Sequence, residues 1–295
     1  MLKNKGHMGK TIKFKSKEDY DFFLNDFKKS SLIQKIFSDW KYHGIYNTAN
    51  IDFKNSIIHE LLAKKLVTDS QFSKYNYQLE SLHLCLNADK KDLDESEQNK
   101  ISISFYETSK ALKIDYANFI EQEISKLFDS KIYYQIIPTF RFHFPKQKGY
   151  NWNDRYHTDI MLGHPPFEFN IWLPFTKVYS SNSMRLTPYD DSLEIISSCN
   201  YDFELLAQYV QYNESFIENL KNKSEPLEMK YGEYIIFDPR CLHCTQYNDT
   251  NDTRISMDIR VILETEIDNY SRKYATTGRK KMPFLPGHYF SKESV

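Results

Sequence analysis

The stretch from Tyr156 to Thr176, YHTDIMLGHPPFEFNIWLPFT, contains the strand pattern on which the fold prediction depends. Its second half, FEFNIWLPF, alternates, so that Glu168, Asn170 and Trp172 share one face and the apolar residues between them share the other. Such alternation over several residues is typical of a β-strand. We therefore predict a strand with one apolar face and one face that carries polar groups.

The first half of the same stretch places an imidazole and a carboxylate, His157 and Asp159, two residues apart. In an extended segment this spacing puts both side chains on one face. A second histidine, His243, follows the predicted buried strand YGEYIIFDP and is the third residue of the run CLHCTQYNDTNDTRISMDIRV. Two histidines and one carboxylate form the facial ligand set of non-haem iron(II) oxygenases. The three residues together predict a metal site, whereas the His-x-Asp pattern alone often arises by chance.

Arg254 begins a further predicted strand, and three residues share its face: Ser256, Asp258 and Arg260. A buried guanidinium needs a carboxylate partner, since burying it alone is too costly. Asp258 is one such partner, although Arg260 lies equally close to it. The other is a dicarboxylic co-substrate. 2-Oxoglutarate could chelate iron at one end, place its distal carboxylate on Arg254 and accept a hydrogen bond from Ser256.

Residues 1–130 are predicted to be mainly helical and to pack on the remainder. Helices are predicted from the capping pattern at Ser16 onward, from about 55 to 67 and from about 115 to 128. The charged stretch at 89–100 is predicted to be an exposed loop.

Residues 131–265 are predicted to form short strands, including one over 132–144, with a helical insertion at about 190–223. Helices followed by many short strands indicate a single α+β domain with a β-sandwich or barrel core. A jelly-roll barrel of the cupin kind could bring the three predicted metal ligands together. The C-terminal arm, 266–295, is basic and is expected to be solvated, with contact to substrate phosphates as the alternative.

The bulk composition excludes several other classes. The chain has 295 residues, and its 39 basic and 40 acidic side chains give no global field that calls for nucleic acid. No signal peptide or membrane-spanning run is evident, so a reduced, cytosolic protein is the default expectation. The Cys241-Leu242-His243-Cys244 motif could suggest zinc, but a structural zinc site takes four ligands and no second pair accompanies it. The oligomeric state and the origin of the tripeptide GHM stay open.

Several runs carry a family resemblance. HTD followed by GHPPFEFNIWLPFT, then NSMRLTP, then CLHCTQYNDTNDTRISMDIRV is similar to the 2-oxoglutarate/iron(II) oxygenases of carbohydrate gene clusters. These clusters make surface polysaccharides or aminoglycoside antibiotics. A more distant likeness is to the phytanoyl-CoA hydroxylase group. The resemblance covers about residues 141–263.

That resemblance implies a double-stranded β-helix (a jelly roll) with iron(II), 2-oxoglutarate and dioxygen as cofactors. It implies that His157, Asp159 and His243 hold the iron and that Arg254 anchors 2-oxoglutarate; these are the predicted catalytic residues. The implied activity is hydroxylation of a sugar, nucleotide-sugar or glycan intermediate, with succinate and carbon dioxide as co-products. Because the histidines must be neutral to bind metal, iron affinity is expected to fall below about pH 6.

Further residues are predicted to face the pocket, or else to fill one sheet face. Asn170 is predicted to contact 2-oxoglutarate, and Arg141, His143 and Trp172 to contact the substrate. His164 stands where many relatives have a small or acidic residue, and we expect it beside the ligands or in a loop. Two alternatives remain: a metal-dependent, oxygen-independent cupin-type isomerase or epimerase, and a catalytically silent sugar-binding jelly roll.

Overall fold

A computed structural model of the chain describes residues 11–92, 98–146, 155–267 and 283–295, so that GHM and most of the basic tail lie outside it. The helices in these ranges are α1 (Lys17–Phe27), α2 (Leu32–Ile36), α3 (Phe53–Ala63), α4 (Asp69–Phe72), α5 (Ala88–Lys91), α6 (Lys100–Ser104), α7 (Lys110–Phe119), α8 (Tyr189–Ser198), α9 (Phe203–Tyr212), α10 (Glu214–Lys223) and α11 (Glu264–Ile267). The strands are β1 (Lys41–Ile45), β2 (Ile132–Tyr134), β3 (Thr139–His143), β4 (Glu168–Pro174), β5 (Met184–Leu186), β6 (Glu225–Pro226), β7 (Glu233–Phe237), β8 (His243–Thr245) and β9 (Arg254–Leu263).

The strands form two antiparallel sheets. The larger sheet has the order β1-β7-β4-β9-β2, and β3 also pairs with β9. The smaller sheet has the order β6-β5-β8. His157 extends the smaller sheet, because its main chain exchanges two hydrogen bonds of 3.0 Å with His243 of β8. The predicted combination of helices with antiparallel strands is confirmed.

Strand register gives the larger sheet two chemically different faces. Asn170 lies opposite Arg260, and Trp172 lies opposite Asp258, so these side chains share one face. On the neighbouring pair, Arg141 lies opposite Ser256. We call this the polar face; its members include Arg141, His143, Glu168, Asn170, Trp172, Arg254, Ser256, Asp258 and Arg260. The alternation predicted for the strand at 167–175 is confirmed.

The opposite face belongs to a large apolar core. Strand residues from β3, β4, β7 and β9 pack there against residues of α3 and α7. Its buried members include Phe53, Ile57, Leu61, Phe119, Phe140, Phe169, Ile171, Leu173, Ile236, Ile255, Met257 and Ile259. Burial of so much apolar surface holds the sheet against the helices and fixes the register of its strands. The polar face is thereby turned away from the helical layer.

Capping residues decide where the predicted helices begin. The Ser16 cap is confirmed, since its side chain accepts a hydrogen bond from the Asp19 main-chain N–H. Asp52 caps α3, which starts two residues before the predicted 55. Lys65, with φ of 53°, follows the end of that helix short of the predicted 67. Ser109 caps α7, which starts at 110 rather than 115.

Two expectations about the segments between helices are wrong in part. The strand predicted over 132–144 is divided into β2 and β3, and Pro138 between them has no N–H to donate to β9. The charged stretch at 89–100 is not wholly a loop, because α5 contains its first residues and α6 begins at Lys100. Residues 93–97 of that stretch lie outside the described ranges.

The region after residue 188 contains the predicted helices, and its end contains an unexpected contact. Helices α8, α9 and α10 lie where the helical insertion at about 190–223 is predicted. The expectation of a solvated arm is wrong for 283–295: Phe284 and Phe290 are buried, and Val295 exchanges two main-chain hydrogen bonds of 2.9 Å with Ile132. The division of the chain at 130 and 265 stays a prediction.

Strand β1 is not predicted by the sequence reasoning, which treats this region as helical. It pairs with β7, and Gly44 lies directly opposite Tyr234. A Cβ atom on Gly44 would lie 2.2 Å from Cζ of the Tyr234 ring. Glycine therefore allows the ring of Tyr234 to pass over the edge strand.

Gly44→Ala is expected to lower the free energy of unfolding by about 1–3 kcal/mol, because the buried ring of Tyr234 must move to admit the methyl group. Denaturant unfolding measures the change. In the double variant with Tyr234→Leu the cost of the added methyl group should largely disappear. An unchanged midpoint in the single variant would contradict the close approach.

Candidate metal centre

His157, Asp159 and His243 come together in the structure. One ligand atom from each lies within 4.8 Å of the other two, a spacing that could hold a metal ion. Asp159 does not sit in an extended segment, contrary to the expectation from its spacing. With φ of −65° and ψ of −30°, it starts the 3-10 turn Ile160–Leu162. The histidines meet through a main-chain pairing, and the carboxylate reaches them from a turn.

The main chain orients both imidazoles. Nδ1 of His243 lies 3.0 Å from the carbonyl oxygen of Cys241, and Nδ1 of His157 lies 3.3 Å from that of Arg155. A carbonyl oxygen only accepts, so each Nδ1 carries the proton and each Nε2 keeps its lone pair for a metal. Burial lowers the pKa of His243 although Asp159 opposes the shift, which keeps this imidazole neutral to lower pH than an exposed one.

Arg260 binds the carboxylate of Asp159. Its Nε and Nη2 donate to Oδ2 of Asp159 at 3.0 and 2.7 Å, and both side chains are buried. Burial alone would raise the pKa of Asp159, but Arg260 and the neighbouring histidines outweigh it and hold the pKa well below its usual range. The other oxygen, Oδ1, lies 3.9 Å from Nε2 of His243. The sequence reasoning did not assign this role to Arg260.

Arg254 is a buried cation without an ion pair among the described residues. Nη1 donates to the carbonyl of Asn182 at 3.3 Å and Nη2 to the Thr245 hydroxyl at 3.4 Å. Its Nε has no hydrogen-bond partner in the described part of the chain. Burial, followed by the charge of Arg141, lowers the pKa of Arg254 to about 10, so the guanidinium stays charged at neutral pH. Such a group is set up to receive an anion.

Further polar groups on the same face are buried without hydrogen-bond partners among the described residues. They include the hydroxyl of Ser256 and both side-chain amide atoms of Asn170, together with Nδ1 of His143 and the carboxylate oxygens of Glu168. A buried polar group left without a partner costs about 1–3 kcal/mol. Ser256, Asn170 and Arg254 are the three residues predicted to bind 2-oxoglutarate, and the polar face presents all three. The donor set therefore fits a ligand that carries carboxylate oxygens.

Ser256→Ala is expected to leave the free energy of unfolding of the ligand-free protein unchanged or to raise it by up to about 1–3 kcal/mol, because it removes a buried hydroxyl that makes no hydrogen bond with the described residues. The same change should weaken 2-oxoglutarate binding by about 5-fold to 15-fold, the value of one lost hydrogen bond. Unfolding and equilibrium titration measure the two quantities. A destabilised variant with unchanged affinity would contradict the assignment.

Asp258 forms its ion pair with Arg141, and this pairing corrects two hypotheses. Asp258 is the ion-pair partner neither of Arg254 nor of Arg260. Arg141, predicted to contact substrate, is partly exposed and has this carboxylate beside it, which raises its pKa. His143 lies opposite Arg254, where burial and then the Arg254 charge hold its pKa well below the usual value.

Trp172 and His164 have defined surroundings. Trp172 is buried in an apolar cluster between the sheets, with Met184, Ile235 and Phe237. Nδ1 of His164 lies 2.8 Å from Glu168 Oε1, and its ring packs against Phe284 with centroids 4.4 Å apart. Asp159, His164 and Glu168 also lie close enough to hold a metal. The first group is the set of two histidines and one carboxylate, whereas in the second group His164 and Glu168 lie against each other.

The zinc alternative has no support in the described residues. All four cysteines are buried and none forms a disulfide there. The groups with metal-binding spacing contain no cysteine.

A surface cleft of about 510 Å³, lined by Trp40, Leu186 and Glu225 among others, includes none of the predicted site residues. No helix in the described ranges has the length and apolar character to cross a membrane.

Comparison with known proteins gives one relative by sequence. No family model matches the chain. The "Streptomycin biosynthesis protein StrG" of Streptomyces griseus is 26% identical over 187 residues, which are 63% of this chain and 72% of that protein. Streptomycin is an aminoglycoside, so the predicted resemblance to a protein of aminoglycoside biosynthesis is confirmed.

The solved structures found by comparison include non-haem, 2-oxoglutarate-dependent enzymes. EctD from S. alaskensis, with 2-oxoglutarate and 5-hydroxyectoine, is 13% identical; it covers 84% of this chain and 76% of its own, with a TM-score of 0.45. The carbocyclase SnoK from nogalamycin biosynthesis is 10% identical and covers 89% and 96%, with a TM-score of 0.38.

Proposed function

We propose that this protein is an iron(II)- and 2-oxoglutarate-dependent oxygenase. One combined observation carries the proposal: a group of two histidines and one carboxylate, and the buried cation of Arg254 on β9, which donates to Thr245 of the strand that contains His243 and has no ion-pair partner among the described residues. A dicarboxylate that chelates a metal at one end and meets a guanidinium at the other accounts for both features. Neither an oxygen-independent isomerase nor a sugar-binding module requires a buried cation such as Arg254.

The residues divide into a metal-binding and a co-substrate-binding set. His157, Asp159 and His243 would hold iron(II), a metal that nitrogen and oxygen donors of this facial set suit. Iron with 2-oxoglutarate and dioxygen supplies the oxidising chemistry, and 2-oxoglutarate leaves as succinate and carbon dioxide. Arg254 and Ser256 bind the distal carboxylate of 2-oxoglutarate as a charge-assisted pair. Asn170 offers both a donor and an acceptor to the remaining oxygens.

We further propose that the two sheets form a double-stranded β-helix. Two observations support this: the polar face holds the candidate site, and His157 pairs with β8 of the smaller sheet. A jelly roll holds ligands between facing sheets, with inward residues alternating along each strand. An apolar cluster with Trp172 of the larger sheet and Met184 of the smaller one fills part of that space.

We propose a sugar, nucleotide-sugar or glycan intermediate as the substrate, and hydroxylation as the outcome. The support is the sequence relative, which is named for streptomycin biosynthesis. Arg141, at the partly exposed edge of the polar face, and His143 would line the substrate side of the pocket. The neutral state of His143 suits hydrogen bonding to hydroxyl groups.

The proposal is tested by incubating the iron(II)-loaded protein with 2-oxoglutarate, ascorbate and a panel of nucleotide sugars, and measuring succinate. Succinate should form only in the presence of dioxygen, and a hydroxylated sugar should gain the mass of one oxygen atom. His157→Ala should remove both products, whereas His59→Ala, on the exposed side of α3, should not. Interconversion of a sugar without dioxygen would identify an isomerase. Sugar binding that survives His157→Ala, without turnover, would identify a binding module.

A further inference from the structure

We propose that Arg260 is a positioning residue that keeps Asp159 a one-oxygen metal ligand, an inference that rests on the proposed function. Two donors of Arg260 converge on Oδ2 of Asp159, at 3.0 and 2.7 Å. The other oxygen, Oδ1, lies 3.9 Å from Nε2 of His243. The two oxygens of the carboxylate thus have different partners: Oδ2 binds the guanidinium, and Oδ1 is left for a metal.

This arrangement determines how many coordination positions Asp159 would occupy on the metal. If His157, Asp159 and His243 each gave one ligand atom, iron(II) would keep three positions, which would be needed for two atoms of 2-oxoglutarate and for dioxygen. A carboxylate that bound iron through both oxygens would occupy one of them. With two hydrogen bonds on Oδ2, rotation of the carboxylate into that mode breaks two charge-assisted bonds.

Arg260 itself is held firmly enough to act in this way. It lies on the central strand β9, opposite Asn170 of β4, and its carbonyl accepts a hydrogen bond of 2.8 Å from the Gln135 main-chain N–H. Asp159, in contrast, lies at the start of a short turn rather than in a strand. The sheet therefore sets the position of a carboxylate that its own segment does not fix.

The rival interpretation is a purely structural ion pair. The described residues contain a matched case, the buried pair of Arg240 with Asp238 at 3.0 Å, in which neither side chain belongs to the metal group. A structural pair stabilises the fold without changing how much the bound metal strengthens the binding of 2-oxoglutarate. A positioning role changes this dependence, because 2-oxoglutarate chelates the metal only while two positions are open.

The test measures the dissociation constant of 2-oxoglutarate by calorimetry, anaerobically, with and without Co(II) in place of iron. In wild type Co(II) should tighten 2-oxoglutarate binding. In Arg260→Gln that tightening should fall by about 10-fold to 100-fold, the usual effect of losing a group that orients a metal ligand. Arg260→Lys keeps the charge but not the fork, and should retain only part of the tightening. Arg240→Gln, which breaks the ion pair with Asp238, should retain all of it.

The outcomes are separable. No effect of Co(II) in wild type would contradict the proposed function itself. An effect in wild type that Arg260→Gln and Arg260→Lys retain in full would overturn only the role of Arg260. If neither variant folds, a structure of the wild-type protein with Co(II) decides: one Asp159 oxygen on the metal and the other on Arg260 supports the inference, and both oxygens on the metal refutes it.

Discussion

His243→Ala should weaken binding of Mn(II), used as a redox-stable substitute for iron, by more than about 100-fold. Replacing a residue that only orients a ligand already costs about 10-fold to 100-fold, and His243 would be a ligand itself. A metal at 100 times its dissociation constant stabilises the folded protein by about 2.7 kcal/mol. Wild type should therefore unfold at a higher temperature with Mn(II), and His243→Ala should not.

His59→Ala is the control, because His59 is exposed on α3, a helix that packs on the apolar face of the larger sheet and not on the polar face. It should keep the full thermal shift with Mn(II). Since His243 also packs against Phe237, the alanine variant is compared with its own metal-free form and not with wild type. An equal metal-induced shift in His243→Ala and wild type would remove this histidine from the ligand set.

Arg254→Ala should raise the 2-oxoglutarate requirement by about 30-fold to more than 1000-fold, with metal binding nearly unchanged. Removing one member of a buried, hydrogen-bonded charge pair costs about 2–5 kcal/mol, and each 1.4 kcal/mol is tenfold in affinity. Arg254→Lys should restore only part of the affinity for 2-oxoglutarate, since a single ammonium cannot reproduce the bidentate contact with a carboxylate. Titration of 2-oxoglutarate into the Mn(II)-loaded variants measures the change.

Arg185→Ala is the matched control for the loss of a partly structural arginine. Arg185 lies on β5, and its guanidinium donates to the main chain at Lys221 and Ser224, away from the polar face. Its loss should lower stability and leave 2-oxoglutarate affinity unchanged. Equal affinity for 2-oxoglutarate in Arg254→Ala and wild type would show that Arg254 binds something else.

The alternation of β4 and β9 made the general class of fold predictable. Period-two patterns place Asn170 and Arg254 on the faces that the register confirms. The same pattern predicts that Ser256 lies on the polar face. The helices were predictable in kind, but their ends followed local capping by Asp52 and Ser109, which periodicity alone does not weigh.

The ion pairs of the polar face were not predictable. Spacing along the chain makes Arg254 and Arg260 equally plausible partners for Asp258 and gives no reason to expect Arg141. The choice depends on register between β3 and β9 and on the turn that carries Asp159 toward Arg260. Strand β1 was missed because its pairing with β7 is a contact between distant parts of the chain.

The most direct test of the iron and 2-oxoglutarate assignment is the visible spectrum of the protein under anaerobic conditions. Iron(II) and then 2-oxoglutarate are added to wild type, to His157→Ala and to Arg254→Ala. Wild type should develop a weak metal-to-ligand charge-transfer band that saturates with 2-oxoglutarate. His157→Ala should show none, and Arg254→Ala should need far more 2-oxoglutarate to reach it. Absence of the band in iron-loaded wild-type protein at saturating 2-oxoglutarate would contradict the assignment.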